Sequence, residues 1–149
     1  MAACGYDFTV VVAEDGEVRA FGNGDEGQIG LGTAAEHLVP ARVGGREVFD
    51  ALVVMVATGD HHAAAVVADG SLYTWGLGQN GRLGHGDRRQ QLRPMRLDKS
   101  LFGASPAVQV ACGYAHDHVY QSIANTLQVD GLARITGRTQ ALHRRILNH

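Results

Sequence analysis

The chain has 149 residues, enough for one globular domain with its own core. Thirteen Lys and Arg against fifteen Asp and Glu give a formal charge of −2, so no overall basic footprint points to nucleic acid. The longest apolar run, Ala51 to Ala57, is far too short to span a bilayer.

Glycine is the outlier. Twenty glycines are about twice the usual share of 7%. Proline is rare, so the excess is not collagen-like, and glycine set between short apolar runs predicts tight turns between short strands. Cys4 and Cys112 make neither a disulfide framework nor a zinc-ligand spacing. No basic-then-apolar leader opens the chain. The expectation is a soluble protein of the cytoplasm or nucleus, with no cofactor and no metal.

In chain order, "ACGYDFTVVVAEDGEVRAFG" predicts two short strands joined at Asp15-Gly16 and ending at Phe21. "GNGDEGQIGLG" (Gly22 to Gly32) follows as a glycine loop, and Pro40 marks a short extended piece. "VVMVATG" is an apolar run rich in β-branched residues. "HHAAAVVA", the turn Asp69-Gly70 and the alternating "SLYTWG" then predict a hairpin. A second glycine loop, "GLGQNGRLGHG" (Gly76 to Gly86), leads to "PMRL", whose Pro94 belongs at a strand edge or first position. A third unit starts near Val108 and decays after His118. "DGLARITG" (Asp130 to Gly137) keeps an Asp-Gly seven residues late, with Thr136 in the aromatic slot. The tail "TGRTQALHRRILNH" fits either a short C-terminal helix with Leu142 and Ile146 on one face or an unstructured end.

These pieces repeat. A shift of 54 residues, without a gap, places Gly5 on Gly59, Asp15-Gly16 on Asp69-Gly70 and Phe21 on Trp75. It also places Gly22, Gly24, Gly27, Gly30 and Gly32 on Gly76, Gly78, Gly81, Gly84 and Gly86. A second such shift brings Val54, Val56, Ala57, Gly59 and His62 onto Val108, Val110, Ala111, Gly113 and His116. About four short strands per period of this length is the signature of propeller blades. The units run from about 1–52 and 53–106, with a partial third from 107. Residues 120–149 are a degenerate remnant or tail.

Gly76 to Gly81 also spells G-x-G-x-x-G, the dinucleotide fingerprint. That reading needs a helix to begin at the glycines, so that its N-terminus meets the pyrophosphate. Gly84 and Gly86 follow Gly81 too closely for a helix, and the pattern recurs from Gly22 at the repeat period. A blade turn recurs in that way, whereas a binding loop has no reason to. A kinase reading fails as well: the single lysine, Lys99, lies in the wrong context, and H-R-D and D-F-G are absent. The glycines Gly22, Gly24, Gly27, Gly30, Gly76, Gly78, Gly81 and Gly84 are read as structural turns.

The unit "ATGDHHAAAVVADGSLYTWGLGQNGRLGHGD" with Pro94, and its counterpart ending at Pro40, resembles the repeats of the regulator of chromosome condensation family. The resemblance covers Ala3 to about Val119. It implies a seven-bladed propeller of four-stranded blades that serves as a protein-interaction surface. For the founding member it implies nucleotide exchange on a small GTPase together with chromatin binding; for others, repeats appended to ubiquitin ligases, kinases or trafficking proteins. The implied partner here is a protein, a small GTPase or a ubiquitin-pathway protein, with direct nucleic-acid contact disfavoured. The favoured function is a non-catalytic interaction module, and the alternative is a guanine-nucleotide exchange factor.

The chain departs from the family pattern. Two clear units and a partial third fall short of seven, and the apolar strand before Ala57 has no counterpart before Ala3. The expectation is a fragment or truncated member, a partial propeller of two to three blades whose open edges favour self-association.

Other residues tempt a sharper reading. Cys4, Thr58 and Cys112 share one repeat slot, which reads as a small buried packing position. His61, His62, His116 and His118 resemble metal ligands, but Phe8 holds the His62 slot in the first unit, which favours packing. Arg88, Arg89, Arg93 and Arg96 form a local basic patch: a solvated loop, or a contact for an acidic partner or phosphate. Arg138, Arg144 and Arg145 would extend it or solvate the tail.

Overall fold

The computed structural model describes residues 1–102, 106–114, 117–121 and 132–135. Strands β1 (Ala2–Cys4), β2 (Phe8–Val12), β3 (Val18–Gly22) and β4 (His37–Gly44) form one antiparallel sheet in sequence order. One helical turn, α1 (Arg46–Phe49), follows. Strands β5 (Val53–Thr58), β6 (His62–Val67), β7 (Leu72–Gly76) and β8 (Gln91–Arg96) repeat the arrangement. A third sheet holds β9 (Ala107–Cys112), β10 (Asp117–Gln121) and β11 (Leu132–Ile135). The molecule is a partial β-propeller: two complete four-stranded blades and part of a third.

Sequence and structure agree at both Asp-Gly hairpins. At the second, Gly70 N donates to Val67 O at 2.8 Å and Val67 N to Ser71 O at 3.0 Å. Gly70 sits at φ +78, which closes the turn without the penalty a Cβ would bring. The Asp69 carboxylate accepts from Ser71 N at 2.8 Å and from Lys99 Nζ at 3.2 Å, so it ties the turn to the segment after β8.

Several details differ from the sequence reading. β1 exists although Met1 stands one residue before it, because Ala2 to Cys4 suffice to pair with Thr9 to Val11. β8 begins at Gln91, three residues before Pro94. The proline is tolerated because β8 is an edge strand, where a missing N–H breaks no ladder. The stretch after His118, read as decayed, still supplies the end of β10. β11 joins β10 in parallel, unlike every pair in the first two sheets. Two 3-10 turns (Gln79–Gly81 and Lys99–Phe102) and α1 interrupt the strand pattern. The C-terminal helix, the Asp130-Gly131 turn and the tail arginines lie outside the described residues.

Position in the stack explains the burial pattern. β2 alternates buried and half-buried residues, while β6 is buried throughout. Ala63, Ala65 and Val67 of β6 join a core shared with the first blade, including Val10, Val12, Val18, Ala20 and Val43. Ala64 and Val66 face the other way, to Leu72, Leu97, Ala107 and Val110. Side chains alternate across a strand, so a sheet apolar on both faces needs a neighbour on each side. The middle blade has both.

The first two blades are joined by Trp75. Its indole is fully buried and Nε1 donates to Gln28 O, in the first glycine loop, at 2.9 Å. Gly30 sits at φ +81 against the indole; a Cβ there would stand 2.9 Å from Nε1. Phe49, delivered by α1, packs edge-on to Tyr73 at 5.2 Å and tilted to Trp75 at 6.2 Å between ring centroids.

Two outcomes are expected. Trp75→Phe keeps most of the apolar contact but leaves the buried Gln28 carbonyl without its donor, so chemical denaturation should show a loss of about 1–3 kcal/mol. The Asp69 carboxyl is held down to about 2, chiefly by the Ser71 hydroxyl, with Ser71 N–H and Lys99 adding to it. Its contribution is complete above the unfolded value near 4 and is lost as pH falls toward about 2. Asp69→Asn should flatten the loss of stability in that window, as read by denaturant midpoints at each pH.

Candidate protein-interaction surface

The second glycine loop is braced from within. Thr74 Oγ1 donates to Leu83 O at 2.7 Å and lies 3.0 Å from His85 Nε2. Since the hydroxyl proton is committed to Leu83, Nε2 is the donor to Thr74, which assigns the imidazole tautomer. Burial holds the His85 pKa below its usual value. Arg82 is buried, donating from Nε to Gln79 O at 2.9 Å and from Nη1 to Tyr114 O at 3.3 Å, so the loop is tied to the third sheet. No helix follows Gly81; Arg82 and Leu83 form a turn. Gly22, Gly27, Gly30, Gly76, Gly81 and Gly84 have positive φ, while at Gly24 and Gly78 a Cβ would collide with the carbonyls of Ala35 and Arg89. The helical element at these glycines is the single 3-10 turn Gln79–Gly81 after Gly78, too short to present a helix N-terminus to a pyrophosphate.

The loop ends in an exposed basic segment. The Asp87 carboxylate accepts from Arg89 N at 3.0 Å, which shapes the turn. Arg88 and Arg89 project into solvent, and the Arg89 side chain is 86% exposed with only a 3.9 Å approach to Asp87. Arg93, on β8, is also exposed and its guanidinium lies over Gly32 of the first blade. These three arginines border the junction of the two blades. Arg96 is occupied differently. Its Nη1 donates to Asp50 Oδ2 at 3.1 Å and its Nη2 to Ser71 Oγ at 2.7 Å, with Asp69 at 3.6 Å. Asp50 also accepts from the Tyr73 hydroxyl at 2.8 Å. Arg96 therefore clamps α1 to the second blade.

The cysteine reading needs correction. Cys4 is exposed and Cys112 half-buried. Thr58, in the same slot of the middle blade, is also only half-buried, because the slot closes an edge strand in all three sheets. His62 is fully buried on β6, as a packing residue would be, while His61 lies 5.8 Å from the exposed Tyr6 ring. His116 is outside the described residues. Among the described residues no three His, Cys, Asp or Glu side chains gather, and no helix is long and apolar enough to cross a membrane.

Comparison with known sequences assigns the repeat. The family model "Regulator of chromosome condensation (RCC1) repeat" matches residues 15–66 and 69–117, and a second RCC1 repeat model matches 53–82. The chain belongs to the RCC1 repeat family. It is 41% identical over 115 residues to the Ultraviolet-B receptor UVR8 of Arabidopsis thaliana, covering 76% of this chain and 25% of the receptor. It is 41% identical over 103 residues to the human E3 ubiquitin-protein ligase HERC2, covering 66% of this chain and 2% of the ligase. The crystal structure of human WBSCR16 superimposes with a TM-score of 0.74 at 32% identity, over 82% of this chain and 30% of that one. The chain thus spans about a quarter or less of these curated relatives.

Sequence reasoning on the RCC1 repeat missed the polar residues that lock blades together. Gln28 and Arg82 share one repeat position and both are buried, but their side chains differ, so only the glycines around them stood out. Asp50 lay in a segment with no repeat counterpart. The division among the arginines has a measurable consequence. Arg96→Ala should lower stability by about 1 kcal/mol, a charged hydrogen-bond network discounted for its partial exposure. Arg88→Ala should stay within about 0.5 kcal/mol. Thermal and denaturant unfolding of the two variants side by side reads the difference.

Proposed function

We propose that the chain is a non-catalytic protein-interaction module of the RCC1 repeat type that presents Arg88, Arg89 and Arg93 to an acidic protein surface. One observation carries this reading: these guanidinium groups are exposed beside a rigid blade junction, while Arg96, eight residues or fewer away, is spent on the fold. Loops held by a packed scaffold are where binding residues concentrate. Guanidinium forks suit carboxylates, and a scaffold that orders them in advance lowers the entropic cost of binding.

The blade units are taken as about 1–52 and 53–106, with a partial third from 107, and the setting as cytoplasm or nucleus. The partner class is a small GTPase or a ubiquitin-pathway protein. Support for the second comes from HERC2, an E3 ubiquitin-protein ligase by name, whose matched part is a small share of its length. The alternative reading, guanine-nucleotide exchange, would need an extended interface of order 1,600 Å² to distort a nucleotide site. Two blades and part of a third offer less rigid surface for that.

Two assays separate the readings. Replacing Arg88, Arg89 and Arg93 with Glu should weaken a captured partner at least tenfold, with the wild-type interaction falling as salt rises. Retention of every partner by the triple variant refutes the basic-loop reading. Release of labelled GDP from a panel of small GTPases should be unchanged by the chain. A tenfold acceleration, about 1.4 kcal/mol, would establish exchange instead.

A further inference from the structure

Antiparallel order sends the β1–β2 and β5–β6 turns and both glycine loops to one end of the sheets, and the Asp-Gly hairpins to the other. At the glycine-loop end the 54-residue shift aligns Tyr6, Asp60 and Tyr114. They follow β1, β5 and β9, so they form a row along the seam where successive blades meet. The segment with Arg88 and Arg89 precedes β8, at the opposite edge of its sheet. Tyr6 is 76% exposed and Tyr114 73%. Neighbouring blades leave this slot open. Tyr6 has the following blade beside it: its N donates to Asp60 O at 3.2 Å and its ring lies 5.8 Å from that of His61. Tyr114 has the preceding blade beside it, with Arg82 Nη1 donating to its O at 3.3 Å. Both backbones are pinned while the rings face solvent. Tyrosines ordered in this way are the residues that anchor interfaces.

The charge of the row selects its partner. Asp60, half-buried, holds the slot between the two tyrosines, and Asp7 is exposed next to Tyr6. Neither carboxylate forms an ion pair among the described residues. Asp25 and Glu26 stand at the same end of the first blade, and residues 20–41 hold no Lys or Arg. Arg19 is drawn toward the hairpin end by Glu17 at 2.7 Å, and the buried Arg82 donates to Gln79 O and Tyr114 O. A carboxylate flanked by two open phenol rings suits a side chain with a long apolar stem and a cationic head.

We propose that the row Tyr6–Asp60–Tyr114 docks a basic segment of a partner protein. Arg or Lys side chains of that segment lay their cations over the tyrosine rings and pair with Asp60 and Asp7. The contact is of opposite charge sense to the one assigned to Arg88, Arg89 and Arg93 and lies at the other edge of the sheets, so it stands or falls independently of that reading.

The test uses the 149-residue chain and a labelled oligo-arginine peptide followed by fluorescence anisotropy. Binding should saturate. Tyr6→Ala and Asp60→Asn should each weaken it about tenfold, while Tyr6→Phe, which keeps the ring, should bind as the wild type does. Glu14→Gln removes an exposed charge at the hairpin end and should change nothing. The seam itself uses the Tyr6 N–H and the Asp60 carbonyl, which every variant retains, so the variants should fold, as circular dichroism checks. Absence of saturable binding, an equal loss with Glu14→Gln, or a Tyr6→Phe variant as weak as Tyr6→Ala would each overturn the proposal. So would self-association of the chain that Tyr6→Ala abolishes in light scattering, since the row would then be filled by a second copy.

Discussion

The contact on which the structure depends is the one between successive blades, and Trp75 is its centre. A single four-stranded sheet of this size has two faces and cannot bury either alone. Trp75 joins the sheets in two ways, with apolar area against Phe49 and Val43 of the first unit and a directional bond to Gln28 O. The glycine loop then has to lie flat against the indole, which is why Gly30 cannot carry a side chain. Hydrophobic area sets how strongly the blades adhere, and the hydrogen bond sets where.

Near the ends of β1, β5 and β9 the same logic produces a second seam. A Cβ at Gly5 would stand 2.7 Å from Gly59 O, and a Cβ at Gly59 would meet Gly113 O. Each of these glycines lets its backbone come against the carbonyl of the next blade. β5 packs on β1 and β2, and β9 on β5 and β6, so the seam runs through all three sheets. The scaffold is consequently stiff where strands meet strands, and chemical variety is left to the connections, among them the segment that carries Arg88 and Arg89.

Much of this was legible in the sequence, for a physical reason. Glycines required by close approach recur wherever the approach recurs, so an ungapped shift of 54 residues exposes the blade without any alignment. The Asp-Gly turns were readable because their chemistry is local. What stayed hidden was non-local. Asp50, held at φ 59 after α1, gains its role only by meeting Tyr73 and Arg96 from the neighbouring blade. Cys4 was read as buried from its slot, but the slot closes an edge strand in all three sheets, and even Thr58 and Cys112 are only half-buried there. The basic residues were found as a patch in sequence, yet β8 sends Arg93 to one blade junction surface and Arg96 to another.

That division bears on how an interaction surface can arise on a repeat scaffold. The clamp at Arg96 uses Asp50, Ser71 and Asp69, and its first-blade counterpart Arg42 is likewise engaged, by Glu17 and Glu47. In both units this arginine reaches from the sheet edge back to the hairpin turn of its own blade, to Glu17 in the first and to Ser71 and Asp69 in the second. Arg93 has no such constraint: its counterpart is Val39, and the site accepts either. Arg88 and Arg89 correspond to Ala34 and Ala35. Positions that tolerate alanine or valine in one blade and arginine in the next contribute little to folding, so their charge is free to be set by a partner. The surface proposed for partner binding thus falls where the repeat constrains its residues least.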